Sequence, residues 1–75
     1  MENQHEKISG YRDLSQDEID LMNEVKRVGN TIEELVCKLR ENQDTDKRWV
    51  SIGATNLQQG LMALTRSVAK PKTFA

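Results

Sequence analysis

The chain has one cysteine, one histidine, one proline and a single residue of each aromatic type. Each scarcity excludes something. Cys37 alone forms no internal disulfide, which fits a reducing, cytosolic setting. One thiol and one imidazole, His5, are too few for the paired spacings of a zinc site. No cysteine–histidine or serine–histidine constellation and no glycine-rich phosphate loop is present, so an enzyme is not expected, nor a metal or cofactor. No apolar run approaches the roughly 18 residues that a membrane-spanning helix needs. The start, MENQHEKISG, lacks the basic and apolar regions of a secretory signal. Excess positive charge is missing too: 11 basic against 12 acidic residues leave a net charge of −1. That balance gives duplex nucleic acid no basic face to bind. A small anion remains possible, since one lysine in a closed site holds a phosphate without making the whole protein basic.

What is present is helical periodicity in 75 residues, enough for one domain. Ser15-Gln16-Asp17-Glu18 has the pattern of a capping box, with Leu14 and Ile19 at the positions of a hydrophobic staple. Beyond it Leu21, Val25, Val28, Ile32, Leu35 and Leu39 recur at alternating spacings of four and three, a heptad seam. Asn42 to Asp46 gathers turn and cap residues. A second seam follows in Val50, Ala54, Leu57, Leu61, Leu64 and Val68, and Lys70-Pro71 ends it. The expectation is an all-α antiparallel hairpin: N-terminal segment 1–14, first helix 15–41, turn 42–46, second helix 47–70 and tail 71–75.

From Trp49 to Thr65 the chain carries no Asp, Glu, Lys or Arg, although 31% of all residues are charged. Gly53, Gly60 and Ser67 fall seven apart along this segment. Either they relieve crowding inside the hairpin, or another chain or a flat ligand approaches closely there. Trp49, Met62 and Ala63 lie off the seam and would face water in a monomer. Two helices supply too little apolar burial to offset their conformational entropy, so the uncharged face reads as an oligomer interface.

Four residues stand out for binding. Tyr11 precedes the first helix and either packs on its own hairpin or stacks on a base. Lys26 lies one position off the seam, with Gly29 and Asn30 one turn on; it is either a solvated charge or a phosphate contact. Gln59 and Arg66 share a face of the second helix, suited either to an interchain hydrogen-bond network or to bases and phosphates. A symmetry axis would multiply each of these around one site.

Four stretches then carry a family resemblance: Lys7-Ile8-Ser9-Gly10-Tyr11-Arg12-Asp13-Leu14, Glu18-Ile19-Asp20-Leu21-Met22-Asn23, Leu57-Gln58-Gln59-Gly60-Leu61-Met62-Ala63-Leu64-Thr65-Arg66, and the tail from Pro71 to Phe74. Together they resemble the small anti-CBASS sponge proteins of phages, over roughly residues 5–74. The resemblance implies a compact homohexamer of interlocked hairpins in the host cytoplasm. It implies sequestration, without cleavage, of cyclic dinucleotides such as 3′,3′-cGAMP, and of cyclic trinucleotides at separate sites on the threefold axis. Tyr11 matches the family's base-stacking aromatic and Lys26 its phosphate-contacting lysine; Arg66, with Gln59 on its face, matches the trinucleotide site. The alternative from the residues alone is a helical homo-oligomeric adaptor that binds another protein through the second helix.

Overall fold

The computed structural model describes residues 13–72 and residue 74. Two helices make an antiparallel hairpin, α1 over Gln16–Glu41 and α2 over Lys47–Ala69, with no strand among the described residues. Local chemistry sets each boundary. Ser15 Oγ accepts from the Glu18 amide at 3.2 Å, and the Ser15 amide donates back to Glu18 Oε1 at 2.8 Å, so the capping box forms in full. Asp17 and Glu18 sit at the positive end of the helix dipole, and Lys38 and Arg40 at the negative end.

The turn is built from side-chain hydrogen bonds. The Asp44 amide donates to Asn42 Oδ1 at 2.8 Å, and the Thr45 hydroxyl donates to the carbonyls of Leu39 and Asn42. Lys47 Nζ reaches back to the Asn42 carbonyl and to the carbonyl and hydroxyl of Thr45. Asp46 then caps α2 by accepting from the amides of Arg48 and Trp49 at 3.0 and 3.3 Å. At the far end Lys70 adopts a left-handed conformation, φ 47°, and its amide donates to the Arg66 carbonyl at 2.8 Å. Pro71 keeps the helix from continuing, and the left-handed Lys70 closes it as an αL cap whose amide satisfies a carbonyl of the last turn. Lys70 Nζ also lies 3.7 Å from Glu18 Oε2, which ties the end of α2 to the start of α1.

The two helices meet along a stripe rotated from the apolar seam of the sequence. On α1 the half-buried residues are Glu18, Met22, Val25, Gly29, Ile32 and Val36. Val25 and Ile32 belong to the expected seam, whereas Leu21, Val28 and Leu35 remain about half exposed, at 49%, 54% and 54%. Gly29 lies at the centre of this stripe, where a methyl group added to it would sit 3.5 Å from Leu61 Cδ1, in ordinary van der Waals contact. Across from it Val50, Ala54, Leu61, Thr65 and Val68 turn inward, while Leu57 and Leu64 stay exposed.

Among the described residues no side chain is fully buried. The hairpin therefore has a contact stripe but no core, and it leaves large apolar groups in water. Trp49 is 61% exposed and Met62 70%. The glycines of α2 relieve no crowding between the described residues of the hairpin, because a methyl group added at Gly53 or Gly60 meets none of them within 4 Å.

Candidate functional site

The rotation that buries Gly29 opens a groove along one side of the hairpin, with a volume of about 530 Å³. That lies within the range of small-molecule sites, roughly 300–1,000 Å³. The floor is apolar and made by Val25, Gly29 and Leu61. Lys26 and Asn30, one turn apart, form the wall on α1. Met62, Thr65 and Arg66 form the wall on α2, and Pro71 stands at its end. These positions converge because residues three and four apart share one face of a helix.

Charge gives the groove its character. Lys26 comes from one helix and Arg66 from the other, and among the described residues no acidic side chain lines the groove. The Lys26 side chain makes no hydrogen bond or ion pair with another described residue. An anion entering here meets the Lys26 ammonium above an apolar floor, with Arg66, which has an interaction of its own, on the α2 wall. The polar groups are neutral: the Asn30 amide and the Thr65 hydroxyl, which donates to the Leu61 carbonyl at 3.0 Å.

Two of the four residues singled out in the sequence thus come together, although Lys26 and Arg66 were expected in separate ligand sites. Gln59 is exposed and lies outside this groove. Tyr11 and His5 fall outside the described residues. Asn30, noted in the sequence only as a neighbour of Lys26, joins Met62 and Thr65 of α2 in this groove. The signal was present in the spacing of Asn30 from Lys26 and of Thr65 from Leu61, but it needed the register of the hairpin to be read. A second, smaller groove of about 330 Å³ continues past the Gly29–Leu61 approach, with Glu33, Cys37, Arg40 and Gln58 along it. Among the described residues no group of three metal-ligating side chains is placed to hold an ion.

Comparison with known proteins agrees with this architecture. The family model described as the Acb2/Tad1 hairpin domain matches residues 6–69. Anti-CBASS protein 2 of Pseudomonas phage JBD67 is 35% identical, in an alignment covering 96% of this chain and 98% of that protein.

Proposed function

The chain belongs to the Acb2/Tad1 hairpin-domain family, and from that membership we propose that it acts against CBASS by binding and sequestering cyclic oligonucleotide messengers. It holds them uncleaved, in the cytoplasm of an infected bacterium, and starves the host effector of its activator. The observation that carries this reading is the groove in which Lys26 and Arg66 flank an apolar floor, with no acidic side chain among its described lining residues. A cyclic dinucleotide has the matching chemistry, with an anionic phosphate for Lys26 and flat bases for the apolar surface. Lys26 takes a phosphate and Tyr11 stacks on a base. Arg66, with Gln59 further along α2, serves a cyclic trinucleotide where protomers meet.

One hairpin leaves this groove open on its outer side. A homohexamer closes it, with a second protomer supplying the remaining wall. The exposed, uncharged surface of α2 supports such an assembly. The same surface is what a helical adaptor would use to dock a different protein, and one experiment separates the two. The purified protein is titrated calorimetrically with 3′,3′-cGAMP, then heated to release the ligand for chromatography. Sequestration predicts binding near one ligand per two chains and recovery of the intact ring. Heat-released ligand in hydrolysed form would point to an enzyme. No heat from any cyclic di- or trinucleotide would favour the adaptor.

A further inference from the structure

The groove holds two kinds of hydrogen-bonding group, and they do different work. Lys26 and Arg66 offer charge, which any phosphate satisfies whatever the base. Contacts to phosphate position a ligand, and contacts to base edges specify it. The neutral groups that remain are Asn30 on α1 and Thr65 on α2.

Their hydrogen-bonding capacities are fixed by the structure. The Thr65 hydroxyl lies 3.0 Å from the Leu61 carbonyl, and a carbonyl has no proton to give. The proton of that bond is therefore the threonine's own, so Thr65 Oγ1 can present only lone pairs to a ligand. Asn30 makes no hydrogen bond with another described residue, and its amide keeps both donor and acceptor for the groove. Across an apolar floor, the ligand meets one two-sided amide and one acceptor.

We propose that Asn30 and Thr65 read the base edge, and that Thr65 sets a preference for bases bearing an exocyclic amine. This rests on the sequestration reading above and names the ligands it favours. An adenine edge offers an acceptor nitrogen beside an amine with two protons. The Asn30 amide pairs with the acceptor and one amine proton, the bidentate arrangement that asparagine makes with adenine. The second amine proton is left for Thr65 Oγ1. A uracil edge pairs with Asn30 equally well, through its ring N–H and carbonyl, but turns no second N–H towards Thr65. Its carbonyl oxygen would face the threonine lone pairs instead.

The test titrates the full chain and its variants with 3′,3′-cyclic di-AMP and 3′,3′-cyclic di-UMP at several salt concentrations. The wild type is expected to bind the adenine ring roughly fivefold or more tightly, the equivalent of one hydrogen bond per base. Thr65→Val, which keeps the shape and removes the acceptor, should bring the two affinities within twofold; Thr65→Ser should restore the gap. Asn30→Leu should weaken both rings roughly tenfold without changing the salt dependence, because the phosphate contacts persist. Lys26→Ala should weaken both rings equally and flatten the salt dependence. Equal affinities in the wild type, or an unchanged ratio in Thr65→Val, would overturn the base-reading role and leave sequestration standing. If the wild type binds neither ring nor any other cyclic oligonucleotide, both fall together.

Discussion

Lys26 and Arg66 differ in what a substitution would reveal. Lysine is a point charge on a flexible stem, whereas arginine presents a planar fork that grips a phosphate with two bonds or stacks on a base. Hydrogen bonds to charged groups contribute about 1.5–3 kcal/mol. Lys26→Ala should therefore weaken 3′,3′-cGAMP binding roughly tenfold or more while the protein keeps its size by light scattering. Arg66→Lys separates charge from shape: if the fork matters, trinucleotide affinity falls nearly as far as in Arg66→Ala. Retention of wild-type affinity in Arg66→Lys would reduce its role to charge alone. Each residue was visible in the sequence, since a cation beside a seam or on an uncharged face is conspicuous. Their meeting across the hairpin was not, because it depends on which turn of α2 lies opposite which turn of α1. The Gly29–Leu61 approach and the Lys70–Glu18 pair fix that register, and both form only in the folded hairpin.

At the scale of the element, the ends of the helices were more legible than their faces. Ser15 with Glu18, and Asp46 within the turn cluster, advertise their roles through side-chain oxygens at set distances from a helix start. Asp46→Ala removes the acceptor for two amides and should cost about 1 kcal/mol, read as a lower urea midpoint at fixed protein concentration. Glu18→Gln should shift the midpoint by less than about 0.5 kcal/mol. Glutamine still completes the capping box, and the ion pair with Lys70 is long at 3.7 Å and exposed on the lysine side, at 66% against 16% for Glu18. A large loss in Glu18→Gln would instead make the tie between the helix ends a principal support. The faces were harder to read because α1 carries two apolar tracks. One runs through Leu21, Val28 and Leu35, the other through Val25 and Ile32. Periodicity alone joins them into one seam. In the folded hairpin the second track, with Gly29 between Val25 and Ile32, faces α2, and the first stays in water.

The whole molecule makes sense only if those exposed tracks are covered. A hairpin without one fully buried described side chain has little to set against the entropy of ordering its chain. Assembly would make folding depend on concentration, because association stabilises the folded state by mass action. The melting temperature should therefore rise as protein concentration increases, and an isolated hairpin would show no such dependence. Gly60→Ala gives the sharper test, since its effect changes sign with the state of association. Within one chain a methyl group at Gly60 meets no described residue within 4 Å, and replacing a helical glycine by alanine gains about 1 kcal/mol. A monomeric hairpin would thus melt higher. If neighbouring chains approach α2 at that point, the methyl group intrudes on a close contact, and overpacking costs about 1–3 kcal/mol. The expected outcome is a smaller species by sedimentation and a lower melting point at every concentration. A higher melting point with unchanged size would mean that Gly60 faces solvent in the functional protein. The pocket-closing surface would then have to lie elsewhere on the hairpin, along Leu21, Val28 and Leu64.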